Sequence, residues 1–162
     1  ASFEELSYEI YGPHGAAILA EISTDNRNRT AADIRAILTR NDGKMATAGS
    51  VSRLFHRKGQ IMIARDAANE DELMELALEA GAEDFKAEDE GYEVLTAPED
   101  FEAVHQAIET KEIAMETAEI TQLPEMTAPV SSEAEMEKVH KLVDLLEDHD
   151  DVQSVYTNAE MA

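Results

Sequence analysis

Between Ile61 and Leu123 the chain alternates strand-like and helix-like patterns in the order β-α-β-β-α-β, and this order constrains the fold more than any other feature. A strand at Ile61–Arg65 is followed by Asn69, a helix-capping residue, and then by Leu73, Leu76, Ala77 and Ala80 on one helical face. Gly81 stops that helix. Short strands at Phe85–Glu88 and Tyr92–Thr96 flank an acidic turn through Gly91. Pro98 suits a first helical position, and the helix after it aligns Phe101, Val104 and Ile108. Thr117–Leu123 closes the series as a strand. This is the split β-α-β order of ferredoxin-like units.

The flanking segments supply the other elements. Ser7–Tyr11 and Ala16–Ser23 read as a hairpin around Gly12-Pro13-His14-Gly15. Thr30 is expected to cap a helix, with Asp33 as its capping-box acid and Ile34, Ile37 and Leu38 on its apolar face. That helix should end near Asn41 and Gly43. A loop from Asp42 to Gly49 leads to a strand from Ser50 to His56, and Arg57-Lys58-Gly59 reads as a turn. Beyond Pro124 and Pro129, Ser132 with Glu135 forms a capping box ahead of a helix carrying Met136, Val139, Leu142, Val143 and Leu146. Val152–Tyr156 reads as the last strand. Neither flank buries a helix on both sides alone. The expected fold is therefore α+β, with two small ferredoxin-like α/β modules, one inserted into the other. Residues 1–58 plus 125–162 would form the discontinuous outer domain, and residues 59–124 the inserted βαββαβ domain.

Composition excludes several function classes. The 162 residues include 36 Asp or Glu against 13 Lys or Arg, a net charge of −23. A polyanion repels phosphate, which argues against a general nucleic-acid coat protein. There is no cysteine, so disulfide scaffolds, thiolate metal sites and cysteine nucleophiles are excluded. The longest strictly apolar run, Ala16–Ala20, is far short of the roughly 20 residues of a membrane span. No basic-then-apolar signal segment opens the sequence, which places the expected location in the cytoplasm.

The charge is unevenly distributed. Residues 1–65 carry a net of +2 and residues 66–162 a net of −25. Asn26 to Lys58 carries a net of +6, so any phosphate-facing surface is expected there. The acidic remainder reads most simply as solvated helix faces.

Catalytic chemistry finds little support. No two of His14, His56, His105, His140 and His149 stand at i, i+3 or i, i+4, and no HExxH, GxSxG, P-loop or GxGxxG pattern occurs. Asp148-His149-Asp150-Asp151 lacks the spaced oxygens and glycine of an EF-hand loop. The expectation is a protein that is not an enzyme, with no metal, no cofactor and no small-molecule substrate. Two segments remain. Asp25-Asn26-Arg27-Asn28-Arg29-Thr30 interleaves Arg and Asn before a helix start, suiting phosphate and sugar contacts, or equally a helix-entry loop whose arginines pair with Asp25 and Asp33. Asp42 to Ser50 reads as a mobile projection tipped by Lys44 and Met45.

These two segments carry a resemblance. TDNRNRT at Thr24–Thr30, GSV at Gly49–Val51, LALEAGAED at Leu76–Asp84, LTAPEDFEAV at Leu95–Val104 and DDVQSVYTNAE at Asp150–Glu160 resemble the YebC family. Two departures are Tyr11-Gly12-Pro13-His14-Gly15 for the family's YGPGG, and Asn41-Asp42-Gly43-Lys44-Met45-Ala46 for a loop like NGGNLG. The resemblance implies the family's second and third domains without its basic helical N-terminal domain. It also implies a regulator of gene expression, described in the family as a probable transcriptional regulatory protein or a translational activator associated with ribosomes. On that basis the expected partners are the ribosome and nucleic acid, either ribosomal RNA and tRNA or promoter DNA, and no membrane. The contact residues would be Arg27, Asn28, Arg29, Lys44, Arg53 and Arg57. A DNA-binding transcription regulator is the alternative, and an acidic protein-interaction module the third reading.

Overall fold

Fourteen regular elements follow from the patterning in the computed structural model, which describes residues 2–162. In chain order they are β1 (Glu4–Tyr11), β2 (Ala17–Thr24), α1 (Arg27–Arg40), β3 (Lys44–Met45), β4 (Phe55–Ala64), α2 (Glu70–Ala80) and β5 (Asp84–Ala87). Then come β6 (Gly91–Thr96), α3 (Phe101–Thr110), β7 (Thr117–Pro124), β8 (Ala128–Val130), α4 (Glu133–Glu147), β9 (Val152–Thr157) and β10 (Ala159–Met161). The protein is α+β. Its chain divides into two compact units: Arg57–Gln122 forms one, and the residues up to and including His56 together with Leu123–Ala162 form the other.

In the Arg57–Gln122 unit the strands lie in the order β5-β6-β4-β7, with β4 and β5 each antiparallel to β6. Period-two alternation sends Ile61, Ile63, Tyr92 and Val94 to one face, where Leu73 and Ala77 of α2 and Val104 and Ile108 of α3 cover them. Asn69 caps α2 by accepting from the Glu72 N–H at 3.2 Å, and Gly81 ends it at φ 119°, where a side chain would be strained.

The second unit builds a four-stranded antiparallel sheet in the order β3-β1-β2-β9. Ile10, Ile18, Ala20 and Ile22 point to the face that Ile34 and Leu38 of α1 and Leu142 and Leu146 of α4 bury. On the opposite face, Ala17 and Leu19 meet Val51 and Phe55 from the segment that follows β3. A two-stranded parallel ribbon, β8 with β10, packs Val130 against Met136 and Val139 of α4.

Several local expectations are corrected. The cap of α1 is Asn26, whose side chain accepts from the Arg29 N–H at 3.1 Å, so the helix starts at Arg27 instead of after Thr30. Thr30 is fully buried, and Asp33 accepts from His149 at 2.8 Å instead of completing a capping box. Arg57-Lys58-Gly59 is not a turn: β4 runs straight through it from Phe55, and the bend lies earlier, at Ser52–Leu54. Gly59 is needed for close approach, because an added methyl would lie 2.6 Å from Cδ1 of Phe101. In the β1–β2 turn, His14 adopts φ 60°, a left-handed conformation that glycine takes more easily.

Candidate nucleic-acid interface

The Asp25–Thr30 segment folds around a buried carboxylate. The Thr30 hydroxyl donates to Oδ2 of Asp151 at 2.6 Å and lies 2.8 Å from the Thr24 hydroxyl, which accepts from the Asn26 N–H at 3.0 Å. Arg29 donates to the same Asp151 oxygen at 3.1 Å and to Asp25 at 3.0 Å. The Thr30 hydrogen bond holds the Asp151 carboxyl below the usual range; burial opposes this, and the Arg29 guanidinium reinforces it. Those two acids in turn hold the Arg29 guanidinium more firmly protonated. His149 completes the cluster. Its Nδ1 accepts from the Asp151 N–H at 3.1 Å, so its proton sits on Nε2, 2.8 Å from Oδ2 of Asp33.

Arg29 is thus a clamp between α1 and the start of β9, not a free cation. Arg27 projects at the first helical position and pairs with Glu4 at 3.0 Å, both side chains being about half exposed or more. Asn28 is exposed beside it.

The Asp42–Ser50 segment is not a free projection. The Ala46 N–H donates to the Glu9 carbonyl at 2.8 Å. The Glu9 carboxylate then accepts from Gly49 at 2.7 Å, Val51 at 2.9 Å and Ser52 at 2.7 Å. Burial pushes the Glu9 pKa up, but these backbone N–H groups outweigh it and hold the group below its ordinary value. Lys44 stands opposite Tyr11 in register, which turns its side chain to the sheet face that Val51 and Phe55 cover. Arg53 is exposed in the Ser52–Leu54 bend on that same side.

Five of the six expected contact residues lie in one unit, on two sides of its sheet. Arg27, Asn28 and Arg29 lie at the N-terminus of α1, Lys44 and Arg53 lie across the sheet from the helices, and Arg57 is exposed on β4 in the other unit. Among the described residues, Arg35, Arg40, Lys44, Arg53 and Arg57 have no carboxylate within 4 Å, nor do Lys138 and Lys141 on α4. The last two escaped the charge map because they stand in the part carrying −25. Their spacing against the buried stripe of α4 was the available signal: both fall on its outer side. No group of three or more His, Asp or Glu among the described residues is placed to hold a metal ion, and no helix there is long and apolar enough to cross a membrane.

The motif segments have defined structural tasks. Asn158, buried at the end of β9, accepts from the Ala17 N–H at 2.8 Å and donates to the Met126 carbonyl at 3.1 Å. With Asp151, it explains two polar positions of the DDVQSVYTNAE segment.

Comparison with known proteins agrees with these motifs. The family model described as the TACO1/YebC second and third domain matches residues 3–159. A probable transcriptional regulatory protein of Carboxydothermus hydrogenoformans is 52% identical over 99% of this chain and 66% of its own length. One from Syntrophobacter fumaroxidans is 49% identical over 97% of this chain and 63% of its own. The crystal structure of a conserved hypothetical protein from Aquifex aeolicus has a TM-score of 0.80 and 40% identity, over 99% of this chain and 66% of that one. The chain thus spans just under two thirds of the length of these relatives. It belongs to the TACO1/YebC family and corresponds to that family's second and third domains.

Proposed function

We propose that this protein is a non-enzymatic regulator of gene expression that acts in the cytoplasm by binding RNA of the translation apparatus. What carries this reading is a set of unneutralised cations. Lys44, Arg53 and Arg57 are exposed with no carboxylate within 4 Å among the described residues, in a chain that carries 36 acids and a net charge of −23. Cations left without partners in so acidic a chain suit phosphate oxygens supplied from outside. Arg27 and Asn28 add contacts at the start of α1, since an exposed ion pair such as Arg27–Glu4 is weak and exchanges readily. Arg29 contributes by fixing that helix end. Contacts dispersed over several surfaces suit a folded RNA better than one groove of a duplex.

The test is co-sedimentation with ribosomes across a salt series, beside Lys44→Glu with Arg53→Glu and, separately, Arg57→Glu. Pelleting that fades with salt and is lost in these variants supports the reading. Undiminished pelleting of the variants removes these residues from the contact, and no pelleting at low salt removes the ribosome.

One observation favours a second reading, a DNA-binding transcription regulator. The outward face of α1 presents Asn28, Ala32, Arg35, Ala36 and Thr39, all exposed, and small residues between polar ones let a helix approach base edges. The relatives are named probable transcriptional regulatory proteins. A gel shift that prefers promoter DNA over random DNA at moderate salt, and loses the preference in Arg35→Ala, supports this reading.

A further inference from the structure

α1 ends against α4, and the two helices bring three cations to one small cavity. Arg40, Lys138 and Lys141 line a space of about 180 Å³ together with Asn41 and Asp42. All three cations are exposed. None has a carboxylate within 4 Å among the described residues.

The cations are not needed to satisfy the end of α1. The Ile37 carbonyl already accepts from the Asn41 side chain at 2.8 Å. The Leu38 carbonyl accepts from the Asn41 N–H at 3.1 Å and the Gly43 N–H at 2.9 Å. The frame beneath is rigid: Leu38 and Leu142 are buried in the same core, and Gly43 packs so closely that a methyl there would lie 2.9 Å from Leu38 and 3.2 Å from Leu142. Three cations against one carboxylate leave the cavity at +2, in a unit whose acids otherwise dominate.

We infer that this cavity is a phosphate-binding site that takes a backbone phosphate of a nucleic acid, with Lys138 and Lys141 as point charges and Arg40 as a planar fork on the oxygens. The inference rests on the nucleic-acid reading above for its ligand, and on the cavity alone for its chemistry. The site lies about 20 Å from Arg27 along the 14 residues of α1, so it is a separate anchoring point. Asp42 limits its affinity. At φ 58° that position is one asparagine also tolerates, so the charge can be removed without disturbing the backbone.

The test is a backbone-amide NMR titration of this chain with inorganic phosphate and with a single-stranded RNA 12-mer, repeated on Lys138→Glu/Lys141→Glu and on Asp42→Asn. Saturable shifts of the amides at 40–43 and 138–141 with both ligands are expected. The double variant should lose them and lower the log–log salt slope of RNA binding by about 0.7 for each lost contact. Asp42→Asn should tighten binding several-fold. RNA that binds the double variant with parental affinity and slope overturns the site and leaves the nucleic-acid reading standing. Phosphate shifts without any RNA binding overturn the nucleic-acid source. No shift at these amides with either ligand overturns the site.

Discussion

The Arg29 guanidinium stands 3.1 Å from Oδ2 of Asp151, which is 122 residues away in the chain, and this pair ties the start of α1 to the start of β9. The arginine that the sequence motif offers as a phosphate contact is therefore engaged by the protein's own carboxylate. Thr30 shares that carboxylate at 2.6 Å from a fully buried position, so the TDNRNRT motif carries a structural latch as well as surface groups.

Thr30→Val tests the latch. The substitution keeps the shape and removes the hydroxyl, which leaves the nearly buried Asp151 carboxylate short of its closest donor. A hydrogen bond to a charged, buried acceptor contributes about 1.5–3 kcal/mol, so a loss of roughly 2 kcal/mol is expected in urea unfolding, with an unchanged m-value. A loss below about 0.5 kcal/mol would show that Arg29 and the Thr24 hydroxyl hold Asp151 without Thr30.

The pH dependence has a defined sign. Asp151 and Glu9 both have native pKa values below their ordinary ones, through the Thr30 hydroxyl in the first case and through backbone N–H groups that outweigh burial in the second. A depressed native value stabilises the fold above the unfolded-state value of about 4, and this contribution is lost as the pH falls from there through the native value. Glu9→Gln should therefore be less stable than the parent at pH 7, and the difference should shrink as the pH falls below about 4. Comparing the two proteins cancels the broader effect of neutralising the many other acids. In the same variant, hydrogen exchange at the Gly49, Val51 and Ser52 amides should quicken, because the carboxylate that accepts from all three is gone.

What was legible in the sequence is what local chemistry decides. Asn69 and Gly81 bound α2, and Ser132 caps α4 by accepting from Glu135 at 3.2 Å, because these residues act on backbone groups three or four positions away. The cap of α1 was misread because Asn26 and Thr30 are both cap formers. Only Asp151, remote in sequence, decides between them by taking the Thr30 hydroxyl. The Glu9 grip on the Gly49–Ser52 backbone was equally hidden, since on its strand Glu9 is one more outward acid in an alternating pattern. The short parallel ribbon β8–β10 went unread for the same reason: its three-residue strands have too few side chains to show a period. Among the exposed cations, Lys44, Arg53 and Arg57 stand in the segment that charge density singles out, whereas Lys138 and Lys141 are masked by the acids around them.

Gly91 offers a test of the β4–β6 pairing. It sits opposite Ala64, and an added methyl would overlap the Ile63 carbonyl oxygen, a backbone atom that cannot swing aside. Gly91→Ala is expected to destabilise the Arg57–Gln122 unit by about 3 kcal/mol, the upper range for overpacking. Amide exchange should rise at Ile61, Ile63 and Val94, while Ile18 and Ile22 keep their protection if the two units unfold separately. Exchange that rises equally at all five would mean that they unfold together.

Charge reversals at the three arginines should separate stability from binding. Arg29→Glu places a second carboxylate beside that of Asp151 and should lower the melting temperature markedly, with any loss of RNA binding following from the disturbed helix start. Arg27→Glu changes only an exposed pair with Glu4, so its stability effect should fall within about 0.5 kcal/mol. Arg53→Glu touches no internal partner and should leave the melting temperature unchanged. If RNA binding drops in Arg27→Glu and Arg53→Glu at unchanged stability, both cations belong to the interface. If it drops only in Arg29→Glu, in proportion to unfolding, the motif serves the fold, and the contacts with nucleic acid must come from the other unpaired cations.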